Sequence, residues 1–300
     1  VPEHIIPPSA SVPKGETSTH YLGSLCRTAL PQKYLSEEQS EAKVQLEKEL
    51  AVISDLQLEE FFLVVHEVTE KARHWGIRCA GRGSAANSIV AYLLGITAVD
   101  PIRYNLLFER FLHRGRKGTP DIDIDFDSDR RNEIIAWMEE HFGIEQTAMT
   151  ATIITYRLRM ALREVAKALG WPMPIVDDLS KKVPSSNARD IRKHREQLAT
   201  IIGESPLFEL LLDMVEHLDG CPRHIGQHSG GMILSRKKLS HFTPIQFSAN
   251  NVKLVQFDKD DIEAMGLVKL DVLGLRMLAC LSEAVELVSG HERKEIDLDR

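Results

Sequence analysis

The stretch Asp121-Ile122-Asp123-Ile124-Asp125-Phe126 alternates acidic and apolar side chains with a period of two residues. Successive side chains of a strand point to opposite faces, so this alternation predicts a half-buried strand with an apolar inner face and three carboxylates outside. Carboxylates about 4 Å apart repel by roughly 4 kcal/mol at an effective dielectric constant near 20, and a divalent cation removes that cost. Mg²⁺ prefers such oxygen ligands, and two ions can bridge the attacking and leaving oxygens of a phosphoryl transfer.

Two other interpretations of the acidic strand stay open. A solvated acidic face needs no ion, because water screens exposed charges. A calcium loop of the EF-hand type is disfavoured, since Phe126 and Asn132 stand where that loop has Gly and Glu.

A glycine-rich turn, residues 81–88, follows a predicted strand at residues 77–80 and precedes an apolar helix that ends at Gly95. Glycines let the backbone approach a ligand, Ser84 can cap the helix, and the N–H groups of a helix N-terminus attract anions. The turn therefore predicts a phosphate site, which Arg82 favours further. It lacks the Gly-Lys-Ser/Thr ending of a Walker loop and the three-glycine dinucleotide spacing. A tight strand-to-helix turn without a ligand is the alternative.

Lys269 and Asp271 share one face of a strand predicted at residues 267–272. A lone Lys-x-Asp is normally a surface ion pair. It gains significance only if its strand lies beside the acidic strand, and periodicity gives no information about that pairing.

The spacing of Cys221, His224 and His228 could suggest a zinc site. We discount zinc, because glycines at positions 226, 230 and 231 break any helix that would align the histidines, and no fourth ligand is evident nearby. Arg223, His224 and His228 are instead candidates to face phosphate.

Basic residues cluster within residues 103–117, 157–167 and 181–195. The third cluster lies between Pro172 and Cys221, where short helical patterns broken by prolines predict a small helical subdomain. Its members are Lys181, Lys182, Arg189, Arg192, Lys193 and Arg195. Each cluster alone is typical of a solvated face. Three clusters around a metal and phosphate site favour a polyanion, because a nucleic acid needs cations along its path.

The other patterns predict an α+β chain. Strands are also predicted at residues 231–234 and 253–257, and helices at 61–74, 130–141 and 153–169. The segment 36–60 spaces its apolar residues as a helix does, and its acids predict a solvated helix face. Those acids are Glu37, Glu38, Glu41, Glu47, Glu49, Asp55, Glu59 and Glu60.

Composition limits the possible classes of protein. The 300 residues are 43% hydrophobic and 27% charged, which excludes disorder and a coiled coil and suits one large or two modest domains. No apolar run approaches the roughly 18 residues of a membrane span, and no signal region opens the chain. Its four cysteines lie far apart, as expected of free thiols in the cytoplasm. The net charge of −7 argues against a wholly basic nucleic-acid coat and says nothing about local patches.

Several motifs occur in a characteristic order. They are Gly81-Arg82-Gly83-Ser84, Tyr92-Leu93-Leu94-Gly95-Ile96-Thr97, Asp100-Pro101, Leu106-Leu107-Phe108-Glu109-Arg110-Phe111-Leu112, Pro120-Asp121-Ile122-Asp123-Ile124-Asp125-Phe126, His228-Ser229-Gly230-Gly231, and Gln256-Phe257-Asp258-Lys259 through Gly266-Leu267-Val268-Lys269-Leu270-Asp271. From about residue 20 to about residue 280, this series resembles the palm and thumb of a bacterial C-family DNA polymerase, the alpha subunit of DNA polymerase III. Details such as Ser84-Ala85-Ala86-Asn87-Ser88 resemble the error-prone, damage-tolerant branch more than the main replicase.

The resemblance implies a fold and a domain plan. The palm of that family is similar to the polymerase-beta nucleotidyltransferase fold, a mixed sheet with helices, and the thumb is a helical insertion within it. We therefore expect a linker at residues 1–19 from an upstream domain, palm at 20–152 and 227–283, thumb at 153–226, and the start of the fingers at 284–300. A fragment of this kind is expected to polymerise poorly or not at all.

The resemblance also implies site residues. Asp121 and Asp123 would be paired metal ligands, Asp271 the third catalytic carboxylate, and Asp125 a further candidate, together holding two Mg²⁺ ions. Nucleotide contacts would come from Arg82, Gly83, Ser84, Arg110 and Lys269. DNA contacts would come from Lys181, Lys182, Arg189, Arg192, Lys193, Arg195, Arg223 and His228.

The implied reaction is template-directed DNA synthesis. A primer 3′-hydroxyl attacks the alpha phosphorus of a dNTP and releases pyrophosphate. Partners would be primer–template DNA and dNTP, with the sliding clamp and other replisome subunits contacting regions outside this fragment. The alternatives are a nucleotidyltransferase for a small acceptor, which has no use for the basic residues, and a non-catalytic nucleic-acid-binding module.

Overall fold

The computed structural model describes residues 8–115, 120, 122–203, 205–248, 250–292 and 296. The chain divides into two compact units. The first consists of the described residues up to Ala151 and from Gln227 onward, and the second is Thr152–Gly226. The second unit is thus an insertion in the sequence of the first.

One mixed sheet organises the strands. Among the described residues its seven strands are β1 (Cys79–Arg82), β2 (Asp123–Asp127), β3 (Thr147–Thr155), β4 (Pro222–Leu234), β5 (Ile245–Phe247), β6 (Lys253–Val255) and β7 (Val268–Leu275). Their order is β1-β2-β7-β4-β3-β6-β5. The pairs β2–β7 and β3–β6 are parallel, whereas β1–β2, β4–β7 and β5–β6 are antiparallel. Together with the helices, the sheet confirms the predicted α+β class.

Helices account for much of the remaining chain. They are α1 (Ser18–Lys33), α2 (Gln39–Asp55), α3 (Glu59–His74), α4 (Ile89–Leu93), α5 (Arg131–Phe142), α6 (Leu158–Ala168), α7 (Met173–Lys182), α8 (Arg195–Ile202), α9 (Phe208–His217), α10 (Lys259–Ala264) and α11 (Arg276–Glu292). The helices α6 to α9 belong to the second unit. None of the described helices combines the length and the apolar character needed to span a bilayer.

One face of β2 packs into the apolar core of the first unit. Ile122, Ile124 and Phe126 are at most 1% exposed, as the period-two alternation predicts. They belong to the same apolar cluster as the run Phe61-Phe62-Leu63-Val64-Val65 of α3, in which every side chain is buried. Burial on this inner face commits the odd-numbered positions of β2 to the opposite face.

Several predicted boundaries are wrong, and β4, for example, begins at Pro222 and not at residue 231. The helix predicted at residues 153–169 begins only at Leu158, because β3 continues to Thr155 through Ile153 and Ile154. Those two side chains are 48% and 37% exposed, so they extend a β-branched strand and are not the apolar face of a helix. The strand predicted at residues 77–80 is instead Cys79–Arg82, so Arg82 is a strand residue.

The second unit has an apolar core of its own. Leu158, Leu162 and Val165 of α6 are buried in one cluster with Leu179 of α7 and Leu211 of α9. The short helices predicted between Pro172 and Cys221 are present, and a 3₁₀ helix, Ala188–His194, precedes α8.

Glu49 contradicts the prediction of a solvated face on α2, because its side chain is fully buried. The carboxylate accepts hydrogen bonds from Gln45 Nε2 at 2.9 Å and Ser88 Oγ at 2.7 Å, and from the backbone N–H groups of Ile89 and Val90 at 3.1 and 3.3 Å. Burial raises the pKa of Glu49 from 4.5 to about 7, although these hydrogen bonds oppose the shift. The fold thus carries a buried acid that titrates near neutrality.

This raised pKa predicts a pH-dependent stability with a definite sign. A carboxyl whose pKa is higher in the folded state stabilises the fold below its unfolded pKa, and that contribution is lost as pH rises through the folded pKa. We expect the free energy of unfolding of the wild type, relative to that of Glu49→Gln, to fall by roughly 3 kcal/mol between pH 4.5 and 7. Urea unfolding across this range measures the difference, and a difference independent of pH would contradict the prediction.

Candidate active site

Four strands of the sheet bring the predicted residues into one row. Arg82 of β1 is the register partner of Asp123 of β2, Asp123 that of Asp271 of β7, and Asp271 that of Gly231 of β4. Register partners on adjacent strands point to the same face. The strand of Asp271 therefore lies directly beside the acidic strand, which the sequence pattern alone left undecided.

Arg82 connects two carboxylates of β2. Its Nε lies 3.8 Å from Asp123 Oδ2, and its Nη1 lies 3.6 Å from Asp125 Oδ2. The guanidinium is half exposed, whereas the Asp125 side chain is only 10% exposed. Asp125 thus departs from the predicted solvent-facing position and is a largely covered carboxylate that contacts the charge of Arg82.

Lys269 and Asp271 form the second ion pair of the site. Lys269 Nζ donates to Asp271 Oδ2 at 2.6 Å, and the two side chains are 14% and 10% exposed. The other oxygen, Asp271 Oδ1, is buried and accepts no hydrogen bond from any residue that the structure describes. A buried carboxylate oxygen without a donor is costly, and a bound cation would satisfy it.

His228 contacts this carboxylate from β4. Its Nδ1 lies 3.8 Å from Asp271 Oδ1 and accepts hydrogen bonds from Gly231 N at 2.7 Å and Gly230 N at 3.3 Å. An accepting Nδ1 leaves the ring proton on Nε2 in the neutral form. Burial lowers the pKa of His228, although the charge of Asp271 opposes that shift. A side chain at Gly231 of β4 would meet His228 Nδ1 at 2.8 Å, so this strand position favours glycine.

The glycine turn differs from the prediction in two respects. Ser88, not Ser84, is the N-cap of α4, because its hydroxyl accepts the N–H of Ala91 at 3.1 Å. The first N–H groups of α4, predicted to attract an anion, are already hydrogen-bonded to the buried carboxylate of Glu49. Any phosphate at this turn would therefore contact its earlier residues.

Those earlier residues remain accessible. Gly83 has φ +70°, a conformation that favours glycine, and begins a 3₁₀ helix, Gly83–Asn87. Gly83 and Arg82 are exposed and Ser84 is partly exposed. The neighbouring 3₁₀ helix Phe108–Arg110 packs against this one and carries the exposed Arg110. All four residues predicted to bind nucleotide around the turn thus lie in neighbouring elements.

Only part of the predicted metal site lies within the described residues. Asp121 lies outside the described residues. Within the described part of the chain, no three His, Cys, Asp or Glu side chains are grouped closely enough to hold a metal ion. The oxygens of Asp123, Asp125 and Asp271 nevertheless have the chemistry of a magnesium site, and the buried Asp271 Oδ1 has the free ligand position that such an ion fills.

Most of the predicted DNA-binding cations of the second unit are paired with acids. Arg189 contacts Asp219 at 2.6 Å, Lys193 contacts Asp190 at 2.7 Å, Arg195 contacts Glu209 at 2.5 Å, and Arg192 contacts Glu209, Asp213 and Glu216. Lys181 and Lys182 are exposed and form no ion pair with any described residue. Arg223 is exposed and contacts its neighbour His224 at 3.0 Å. The sequence pattern missed this pairing, because most of the partners lie on α9, outside the basic stretch.

The comparison with protein families decides the relationship of the chain. Residues 20–274 match the model described as the bacterial DNA polymerase III alpha NTPase domain. The chain belongs to this family. The family and the branch predicted from the motifs are confirmed, because the similar curated proteins are error-prone DNA polymerases.

Three relatives illustrate the similarity. The chain is 41% identical over 282 residues to the error-prone DNA polymerase of Methylococcus capsulatus and 42% over 284 residues to that of Ralstonia pickettii. It is 40% identical over 299 residues to that of Mycolicibacterium paratuberculosis. These alignments cover 94% to 98% of the chain and 26% or 27% of each relative. The chain thus spans about a quarter of the length of the curated relatives it matches.

The Lys269–Asp271 pair predicts a measurable stability loss. Replacing Lys269 by Met leaves a largely buried carboxylate without its cation, so we expect the free energy of unfolding to fall by about 3 kcal/mol in chelator at pH 8. Adding Asp271→Asn should restore most of this loss, because the uncompensated charge is gone. Lys181→Met removes an exposed cation and should change stability by less than about 0.5 kcal/mol. Urea titration of the four proteins checks the pair, and equal effects of Lys269→Met and Lys181→Met would contradict it.

Proposed function

We propose that the chain carries the nucleotidyl-transfer centre of an error-prone DNA polymerase. The observation that carries the proposal is the parallel pairing of β2 with β7, which sets Asp271 beside Asp123 with Arg82 on the adjacent strand. This juxtaposition offers acidic ligands and a phosphate-binding cation on one face of the sheet. Membership of the DNA polymerase III alpha family supports the same reaction.

The acidic residues would hold the metal. Asp123 and Asp271 are the central ligands in this proposal, with Asp121 next to them in sequence and Asp125 as a further ligand. Two bound Mg²⁺ ions would lower the pKa of the primer hydroxyl and neutralise charge on the departing pyrophosphate. Asp271 Oδ1 supports this assignment, since it is buried and accepts no hydrogen bond from the described residues.

The basic residues would hold the triphosphate. Arg82, Gly83 and Ser84 present a guanidinium and exposed backbone at the turn, and Arg110 and Lys269 supply further charge. Three described carboxylates, Asp123, Asp125 and Asp271, contact two of these cations, Arg82 and Lys269. When a cation binds the carboxylates, Arg82 and Lys269 become available for the phosphates.

The reaction is a displacement at phosphorus. The primer 3′-oxygen forms a bond to the alpha phosphorus of the dNTP, and the bond from that phosphorus to the beta-phosphate bridging oxygen breaks, which releases pyrophosphate. Held phosphates keep the alpha phosphorus in place for attack, and positive side chains stabilise the charge that develops on the leaving group.

The domain plan is part of the proposal. Residues 20–152 and 227–283 would form a palm of the polymerase-beta nucleotidyltransferase type, and 153–226 a thumb, with a linker before and the start of the fingers after. The division of the chain after Ala151 and after Gly226 supports this plan. So does the separate apolar core of the second unit.

Nucleotide binding tests the proposal directly. In calorimetry with Mg²⁺ and a dNTP, we expect the wild-type chain to release heat, and Asp123→Asn or Asp271→Asn to weaken binding at least about tenfold because a metal ligand is lost. Asp129→Asn is the matched control, since this acid lies in the turn after β2. Absence of heat with the folded wild type, or equal affinities of all variants, would reject the proposed site.

DNA binding separates a polymerase from a nucleotidyltransferase with a small acceptor. The ion-paired state of Arg189, Arg192 and Arg195 weakens the case for those contacts and leaves Lys181, Lys182 and Arg223 as the main candidates in the second unit. Replacing Lys181 and Lys182 together by Ala should reduce the slope of log affinity against log salt by about two, because each phosphate contact contributes about 0.9.

The control for that experiment is Arg192→Ala, which removes a cation already paired with acids and should leave the salt slope unchanged. Fluorescence anisotropy with a primer–template duplex at several salt concentrations gives all three slopes. A wild type that binds dNTP but no duplex would favour the small-acceptor enzyme.

A further inference from the structure

A buried carboxylate outside the proposed site lies at the end of the turn that would bind nucleotide. Glu49 is fully buried in α2 and forms no ion pair with any described Lys, Arg or His. Three of its four hydrogen-bond donors come from the consecutive residues Ser88, Ile89 and Val90. Each carboxylate oxygen accepts one of the two backbone N–H groups, so Glu49 fixes both the position and the direction of this backbone.

The hydrogen bonds continue from Glu49 back towards the turn. Ser88 donates its hydroxyl to Glu49 and its backbone N–H to Ala85 O at 3.2 Å. Asn87 Nδ2 donates to Ser84 O at 2.9 Å within the same 3₁₀ helix. Hydrogen bonds to Glu49 thus attach the downstream end of the turn to α2.

The upstream end of the turn is held differently. Gly81 N donates to Ile96 O at 2.8 Å, and Arg82 is paired with Asp123 across the sheet. A side chain at Gly81 would meet Ile96 O at 2.4 Å, so the glycine serves a close approach within the protein. The segment between these two attachments is the 3₁₀ helix Gly83–Asn87.

We propose that Glu49 is a positioning residue of the nucleotide site, which holds the turn Arg82–Ser84 in its phosphate-binding geometry through Ser88 and the start of α4. This inference rests on the proposed function. Glu49 itself touches neither nucleotide nor metal in this assignment. Only the ionised carboxylate accepts from all four donors without a competing proton, and because burial raises the pKa of Glu49 to about 7, this form predominates above that pH.

The test compares nucleotide affinity with metal affinity. Glu49→Gln replaces one acceptor oxygen by an amide donor that faces a backbone N–H group, so the turn shifts. We expect the affinity for dNTP with Mg²⁺ to fall about tenfold. The affinity for Mn²⁺ alone, followed by electron paramagnetic resonance, should stay within about twofold, because the carboxylates on β2 and β7 are held by the sheet.

Two further variants make the result specific. Gln45→Ala removes the one donor to Glu49 that does not belong to the turn or to α4, and should leave dNTP affinity unchanged. Ser88→Ala keeps the buried acid and removes the hydroxyl link, and should weaken dNTP binding about threefold. If a thermal unfolding scan shows that Glu49→Gln is not folded, the dNTP affinity of Ser88→Ala tests the positioning role instead.

The outcomes are distinguishable. A selective loss of dNTP affinity in Glu49→Gln or in Ser88→Ala, with Gln45→Ala unaffected, supports the positioning role. Unchanged dNTP affinity in the folded variants, or an equal loss of dNTP and Mn²⁺ affinity, overturns it while the proposed function stands. A wild type that binds no dNTP overturns the proposed function and this inference together.

Discussion

The parallel contact between β2 and β7 is the constraint on which the rest of the site depends. It places Asp123 and Asp271 on neighbouring strands, where two like charges repel at close range. The apolar side of the same strands overcomes that repulsion, because Ile124 and Val272 are register partners and both are fully buried. A slip of one residue would expose that apolar face and bury the acids, so hydrophobic burial fixes the register and the register fixes the acidic row.

The cations of the site keep this arrangement compatible with a stable fold. Arg82 contacts Asp123 and Asp125 from the adjacent strand β1. Lys269 lies two residues before Asp271 on β7 and contacts it on the same face. Each cation comes from an element that the proposed reaction also uses to hold phosphate. Arg82 and Lys269 thus stabilise the carboxylates in the absence of metal. In the proposed reaction they would bind the triphosphate once metal ions are bound to the carboxylates. The Arg82 pairs suit such an exchange, because the guanidinium is half exposed and a fully buried pair would be costly to separate.

Local periodicity predicted much of this and left the long-range contacts open. The alternation of residues 121–126 predicted the buried positions of Ile122, Ile124 and Phe126 correctly, and the motif order predicted the family. The pairing of Asp271 with Asp123 was not accessible from periodicity, because periodicity reports local structure and the two residues are 148 positions apart in the chain. The predictions for Glu49 and Arg192 missed their contacts for a related reason. Glu49 was assigned to a solvated face because acids surround it in sequence, and Arg192 was assigned to a DNA-binding cluster because cations surround it in sequence. In space Glu49 contacts α4, and Arg192 contacts the acids of α9.

Several glycines of the motifs serve the packing of the protein around the site. Gly81 allows the carbonyl of Ile96 to approach, and Gly231 makes room for the ring of His228 and for the stem of Lys269. Gly83 differs, since it has a positive φ and lies in an exposed turn, where a side chain would meet Asp123 Oδ2 at 3.8 Å and no other described atom within 4 Å outside the adjacent residues. A glycine-rich motif therefore contains two kinds of position. At Gly81 and Gly231, other atoms of the protein occupy the space where a side chain would lie. At Gly83 this space is open to solvent, so a ligand has room to bind there.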